Sequence, residues 1–298
     1  MTDLKKMLII VNPVSGTGKQ EKALRAIDKY LDKAQFDYKI AYTKAHRHAI
    51  ELTKDAVAQK FDAVVIVGGD GSINEVGQAL AGTNVAMGII PAGSGNGLSR
   101  ALGIPMRVRK AVENLNSYNK RVIDSGTVNG KPFMNMAGVG LDAFVADRFH
   151  KQKMRGLWKY ILLIVRSLLD YENQEYEIRT TDGPEFKRRA MLIAFANSPQ
   201  YGNEALVAPT AIIDDGELNC VVINPFPFPV IFVLIARLFR GTLHRSPYVK
   251  TFPFKSMVLE QERNDVIHLD GDPYSLGKEL TIEIKKQSIS VIVPHEKA

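Results

Sequence analysis

The chain has 298 residues, enough for two domains of roughly 150 each, and its 45% hydrophobic and 24% charged residues exclude wholesale disorder. A single cysteine, Cys220, excludes an internal disulfide and a cysteine-rich zinc site, and fits a reducing cytoplasm. Most of the net charge of +7 lies in the first 125 residues, which hold 18 Lys and Arg against 12 Asp and Glu. Such an excess suits nucleotide phosphates, an acidic membrane surface or nucleic acid without choosing among them.

The apolar run 7–11 is too short for a signal peptide and stops at Asn12-Pro13, as a buried strand does. Residues 19–31 carry helical spacing, with Ala23, Leu24, Ile27 and Leu31 on one face. Next come a strand at 38–42, a helix at 49–58, a β-branched strand at 63–67 ending in Gly68-Gly69, a helix at 72–80, and a strand at 85–90 ending at Pro91. Strands alternating with helices imply parallel crossovers and hence a doubly wound α/β domain.

From about Arg121 the pattern changes to short strand-like runs at 121–128, 175–180, 190–196, 217–223, 256–259, 266–269, 280–284 and 288–293. Turn signals separate them: Asn129-Gly130, Asp182-Gly183-Pro184, Asp214-Asp215-Gly216 and Asp270-Gly271. This predicts an antiparallel β domain, sandwich or barrel. Basic apolar segments near 154–171 and 227–241 read as helices; their apolar cores carry Lys159, Arg166 and Arg237 and fall short of about 18 uninterrupted apolar residues, so neither is expected to cross a membrane. Arg148, Lys151, Lys153, Arg155 and Lys159 lead into Trp158 and the apolar run 161–165, the composition of an interfacial segment or of a core helix with a solvated end. Residues 230–238, apolar nearly all round, are expected to be buried.

In α/β layers, ligands bind at the carboxyl ends of the strands. Three glycine-rich loops leave apolar strands there: residues 12–19, Gly68-Gly69-Asp70-Gly71-Ser72, and Pro91-Ala92-Gly93-Ser94-Gly95-Asn96-Gly97. Glycines let backbone amides approach phosphate oxygens, and the helix N-termini that follow favour anions, so a shared anion site is predicted. The first loop is no Walker P-loop, because Pro13 and Gln20 stand where Gly and Ser/Thr are needed, and it completes no dinucleotide fingerprint. Asp70, between glycines after a strand, can reach a phosphate-bound Mg²⁺ or simply make a turn bond. Ser72 and Asn74 offer a hydroxyl and an amide to phosphate or ribose, and Ser72 can also cap the following helix.

The segment Gly68-Gly69-Asp70-Gly71-Ser72-Ile73-Asn74-Glu75 resembles the signature of the diacylglycerol/sphingosine lipid-kinase family. So do Asn12-Pro13-x-Ser15-Gly16, Pro91-Ala92-Gly93-Ser94-Gly95-Asn96 with Leu102-Gly103-Ile104-Pro105, Asn135-x-Ala137-Gly138-x-Gly140, Asp214-Asp215-Gly216 and Asp270-Gly271-Asp272, in order over nearly the whole chain. The resemblance implies an N-terminal α/β domain like that of NAD kinases, then a β-sandwich domain, with ATP and substrate meeting in the cleft between them. The expected division is 1–125 with a C-terminal return at about 286–298, and 126–285 as the lipid-substrate domain.

By the same resemblance Asn12, Thr43, Gly68, Gly69, Asp70, Gly71, Ser72, Asn74, Gly93 and Ser94 bind the nucleotide with Mg²⁺, and Asp124 is an acidic residue between the domains, where a surface aspartate is the alternative. Ile212, Asp215 and Glu217 hold a structural Mg²⁺, a set of hard oxygens that suits such a cation, although the turn can also be a hairpin without metal. Asp272 stands where the family has the Glu proposed as base for the lipid hydroxyl, one methylene shorter, with Asp70 as the other catalytic residue; on pattern alone Asp270-Gly271 is also a hairpin pair. Gly97 replaces an acidic residue of many bacterial diacylglycerol kinases, which leaves the acceptor open. The reading is an ATP- and Mg²⁺-dependent lipid kinase, cytoplasmic or peripheral at the inner face of the membrane. It would take its lipid from a membrane surface, bind no nucleic acid, and be compatible with a homodimer. The alternatives are an NAD kinase, which lacks the Asn-Pro-x-Ser-Gly opening, and a nucleotide-binding regulator with impaired catalysis.

Overall fold

A computed structural model describes residues 4–14, 19–151, 157–181 and 185–295. Ser15, Gly16, Thr17 and Gly18 of the first loop, Lys153, Arg155, the side chain of Trp158 and the Asp182-Gly183-Pro184 turn lie outside the described residues. The chain divides into two compact units, one running to Ile123 and resuming at Gln287, the other spanning Asp124–Lys286.

The first unit alternates β1 (Lys5–Val11), α1 (Lys19–Tyr30), β2 (Phe36–Tyr42), α2 (His48–Ala58), β3 (Ala63–Gly68), α3 (Asp70–Leu80) and β4 (Ala86–Pro91), followed by the short α4 (Gly97–Ala101) and by α5 (Val108–Ser117). The strands pair in parallel in the order β2-β1-β3-β4, with Ile9 set between Ile40 and Val65. Met7, Ile9, Val11, Val65, Val67 and Ile90 pack on Ala23, Ala26 and Ile27 of α1 and on Ala111, Val112 and Leu115 of α5. The two-residue period sends Leu8, Ile10, Val64 and Ile66 to the other face, where they too are buried. Strands covered on both faces read as continuous apolar runs, which is why the alternating half of the sequence is legible. Helix α5 is an addition to the sequence reading, although Val108, Ala111, Val112 and Leu115 carry the i, i+3, i+4, i+7 spacing.

The second unit is a β-sandwich. It begins within β5 (Lys120–Val128), which turns through Asn129-Gly130, both at positive φ, into β6 (Lys131–Phe133). Then follow β7 (Met136–Gly140), α6 (Leu141–Lys151), α7 (Leu157–Asp170), β8 (Gln174–Thr180), β9 (Glu185–Ala190), β10 (Leu192–Ala196), β11 (Leu218–Ile223), α8 (Val230–Phe239), β12 (Val249–Phe254), β13 (Ser256–Gln261), β14 (Ile267–Leu269), β15 (Asp272–Tyr274) and β16 (Glu279–Ile292). One antiparallel sheet has the order β12-β11-β10-β7-β14-β15; in the other, β16, β13, β8 and β9 pair antiparallel. Val139, Ile193, Phe195, Leu218 and Ile267 from the first sheet and Tyr176, Ile178, Met257, Leu259 and Ile282 from the second meet in one core.

Three expectations need correction. The runs 280–284 and 288–293 are not two strands: β16 continues through Lys285-Lys286-Gln287, polar residues that interrupt the apolar alternation but not the strand. From Gln287 it belongs to the first unit, where Val291 pairs with Met87. Helix α8 is not buried all round, since only Ile231 and Leu234 are fully buried and Val230 and Leu238 partly so, while Phe232 and Val233 face solvent. Asp124 is no surface residue, being 1% exposed. Among the described residues no helix is long and apolar enough to cross a membrane.

Candidate active site

In the first unit the winding reverses between β1 and β3, the point at which open α/β sheets bind ligands. Asn12 follows β1, Thr43 follows β2, and the second and third glycine loops end β3 and β4, so the predicted residues share this sheet edge. Asn12 Nδ2 donates to Ser72 Oγ (2.8 Å), and the Thr43 amide to the Val11 carbonyl (3.0 Å). A Cβ on Gly93 would lie 2.5 Å from Gly69 Cα, so a side chain there would force the two loops apart.

Asp70 fixes the third loop. Its Oδ1 accepts the Gly97 amide (2.7 Å) and its Oδ2 the Asn96 amide (2.8 Å), so a residue in the first turn of α3 caps α4. Asn96 has φ 52°, a left-handed conformation, and its side chain reaches back to the amide and carbonyl of Gly93. Burial pushes the Asp70 carboxyl above its usual range, against the Asn96 and Gly97 amides, its own amide and the Arg100 charge.

Gly71 is the informative glycine. It is exposed in the first turn of α3, and among the described residues, its own helix backbone and chain neighbours aside, no atom lies within 4 Å of the place a Cβ would occupy. Glycine in a helix costs about 0.5–1 kcal/mol relative to alanine, and nothing among the described residues requires it here. Close approach by a ligand would. Asn74 accepts from Gln78 through Oδ1, while its buried Nδ2 has no acceptor among the described residues. Ser94 is exposed on the third loop. Glu75, which ends the motif, instead accepts the amides of Arg47 (2.9 Å) and Ala49 (3.2 Å) and holds the start of α2.

In the second unit Asp270 (φ 50°) and Gly271 (φ 91°) form the two-residue connection of the β14–β15 hairpin, pairing Leu269 with Asp272. The Asp270 carboxylate accepts three backbone amides, from Met134 (2.7 Å), Asn135 (2.8 Å) and Met136 (2.8 Å). Burial pushes its pKa up to about 6 against those amides and the His268 charge. Asp272 opens β15, half-buried.

Sequence reasoning missed the group beneath this hairpin. Buried His268 meets Asp142 through Nε2 (2.7 Å), and Asp142 also accepts the hydroxyls of Tyr201 (2.5 Å) and Tyr160 (3.3 Å). The Gly271 amide donates to His268 Nδ1 (3.4 Å), which leaves the proton of the neutral ring on Nε2, toward Asp142. Burial lowers the His268 pKa, but the Asp142 charge and hydrogen bond, with the Asp270 and Asp272 charges, leave it raised. A Cβ on Gly138 would lie 2.8 Å from His268 Nε2 and 3.0 Å from Asp142 Oδ2. The glycine of Asn135-x-Ala137-Gly138 was the available signal: it makes room for this pair.

The turn at 214–217 is held by Asp124, whose Oδ2 accepts the Gly216 amide (2.7 Å), and by Asp215, whose Oδ1 accepts the Glu217 amide (3.0 Å). Burial, then the Glu217 and Asp124 charges, push the Asp215 carboxyl up, so like charges gather here. Among the described residues no three His, Cys, Asp or Glu side chains form a group that could hold a metal ion, so a cation here would also need backbone carbonyls. Lys286 already lies over the turn, its Nζ 2.8 Å from where a Gly216 Cβ would sit.

Residues 6–128 match the model of the diacylglycerol kinase catalytic domain, and residues 135–293 that of the YegS C-terminal NAD kinase beta sandwich-like domain. The chain is 28% identical to a diacylglycerol kinase of Bacillus subtilis (strain 168) over 99% of its own length and 98% of the relative's. It is 30% identical to a "Probable lipid kinase YegS-like" of Pseudomonas savastanoi pv. phaseolicola (strain 1448A / Race 6), over 99% and 95%. A solved diacylglycerol kinase of Bacillus anthracis str. Sterne shares the fold, with TM-score 0.78 at 24% identity over 98% of each chain. The chain belongs to the diacylglycerol kinase and YegS-like lipid kinase family, a family of kinases built from an α/β domain and a β-sandwich.

Proposed function

We propose that this protein transfers the γ-phosphoryl group of ATP to the hydroxyl of a lipid, diacylglycerol, a sphingoid base or a relative of these. The observation that carries the nucleotide half is Gly71, a helix-opening glycine exposed at the loop edge and open where a side chain would stand. Asn12, Thr43, Gly68, Gly69, Ser72, Asn74, Gly93 and Ser94 line or support that edge, and the α3 N-terminus favours the negative charge of phosphate. Residues 126–285 supply the lipid side, with Asp272 as the group that takes the hydroxyl proton during in-line transfer.

A carboxylate offers about four acceptor positions, and amides leave Asp70 some of its own, so it can hold Mg²⁺ together with the phosphates. When bound there, Mg²⁺ neutralises charge on the phosphate oxygens. Asp215, Glu217 and the Ile212 carbonyl would hold a second, structural Mg²⁺. The test is transfer of labelled phosphate from ATP into a panel of lipids with NAD included. Labelled lipid supports the reading, labelled NAD points to an NAD kinase, and no turnover above background to a regulator.

A further inference from the structure

We propose that the aromatic ridge formed by α8 and the segment before it docks on an anionic bilayer surface. Pro225, Pro227 and Pro229 alternate with Phe226 and Phe228. Phe226 turns inward against Tyr248 (ring centroids 6.2 Å), while Phe228 turns outward and stacks edge-on with Phe232 (6.2 Å, 89°). Exposure reaches 44% at Phe228, 60% at Phe232 and 52% at Val233, although Ile231 and Leu234 on the inner face are buried. Adjacent apolar side chains left in water, rather than scattered singly, mark an interaction surface. The prolines hold the approach to the helix in limited conformations, so little ordering is needed on docking.

Charge chooses the occupant. Residues 218–259 contain no Asp or Glu. Arg237 lies four residues after Val233 and Arg240 eight after Phe232, so the stripe runs from apolar to basic along one helix face. Arg240, Arg245 and Lys250 are exposed, and among the described residues none of these three, nor Arg237, has a salt bridge. A second copy docking isologously would set these cations against themselves. An apolar patch continued by unpaired cations is instead what an interfacial helix presents to anionic headgroups. The surface would bring the protein to the lipid that the kinase reading assigns to it, but it does not rest on that reading, because vesicle binding is measured without ATP.

The test is co-sedimentation with vesicles of phosphatidylglycerol and phosphatidylcholine, about equimolar, against phosphatidylcholine alone. The full chain should bind the anionic vesicles, and F228S/F232S and R237Q/R240Q should each weaken binding at least about tenfold with unchanged melting temperature. Because Cys220 is buried, Phe232→Cys creates an accessible thiol for an environment-sensitive dye, whose emission should shift to the blue on anionic vesicles. Equal binding by wild type and both double variants, or no dye shift, overturns the proposal. So does concentration-dependent self-association that F228S/F232S abolishes, which would give the ridge to a second copy.

Discussion

Asp70-Gly71 and Asp270-Gly271 are the same dipeptide in two backbones. In the first unit the pair opens a helix after a parallel strand, and Asp70 reaches 26 residues along the chain to two amides of the next loop. In the second the pair turns a hairpin at positive φ, and Asp270 gathers three amides from a strand start about 135 residues earlier. Both carboxyls are pushed up by burial and held by backbone donors. The difference lies in what remains open. Beside Asp70 stand Gly71 and Ser94, exposed at a strand-end edge; beside Asp270 lies a closed group of His268, Asp142 and two tyrosines. A carboxylate held by backbone amides therefore organises its surroundings in either unit, and the proposed function asks different things of the residues nearby: Gly71 would admit a nucleotide, Asp272 would take the proton of a hydroxyl.

The largest effect should come at Asp272. If it is the base, Asp272→Ala lowers turnover by on the order of 10²–10⁴ with ATP affinity unchanged, and Asp272→Glu keeps appreciable activity. Near-normal turnover in the alanine variant would move the base role elsewhere and leave the hairpin wholly structural. At Asp70 the two roles are joined. Asp70→Asn should lower turnover about a hundredfold to a thousandfold. It should also lower stability by about 1–3 kcal/mol, because the new amide group faces a backbone N–H that has lost its acceptor. Turnover within threefold of wild type, measured per folded molecule, would reduce Asp70 to a loop brace.

Gly71→Ala separates ligand from fold. Among the described residues there is room for the methyl, so the melting temperature should hold or rise, as for a gain of about 0.4–1 kcal/mol. Apparent ATP affinity should meanwhile fall about tenfold, a cost of about 1.4 kcal/mol. Unchanged ATP affinity would remove the main support for the nucleotide reading. At the turn near Asp215, excess EDTA should lower the melting temperature by a few degrees, on the scale of about 1 kcal/mol, and Asp215→Ala should abolish that response. A wild type indifferent to EDTA would leave the turn an ordinary hairpin without metal.

The sequence discloses the first unit best, because its strands are buried on both faces and its loops carry their glycines at strand ends. Asp70, Ser72 and Asn74 were legible for the same reason. Partners distant in sequence were not: nothing local says that Asp70 caps α4, or that Asp142 meets His268 across 126 residues. Gly138 recorded that meeting only as an absent side chain. Hydropathy likewise counts apolar residues in α8 without saying which face is covered, so Phe232 and Val233 read as core.

The smallest predicted effect is a pH dependence at His268, and its sign is fixed. Its pKa is raised in the folded protein, so its contribution is complete below the ordinary histidine value of 6.5 and is lost as pH rises through the folded value. Asp142 is the reverse case: burial opposes its charge, but His268 and the two tyrosines hold its carboxyl below the usual range, so its contribution is lost only in acid, as pH falls through that lowered value. The charged pair thus stabilises the fold between those limits. His268→Gln keeps a donor toward Asp142 and removes the charge. Wild type should therefore melt above this variant by most below pH 6.5, with the gap closing as pH rises through the raised folded value. Asp270, raised to about 6, also loses its contribution as pH rises, but it is present in both proteins and so enters the difference only through its coupling to His268. Melting curves of the two proteins from below pH 6.5 into alkaline solution decide the matter: a gap that stays flat, or widens with pH, would show that His268 is neutral throughout and that Asp142 is held by hydrogen bonds alone.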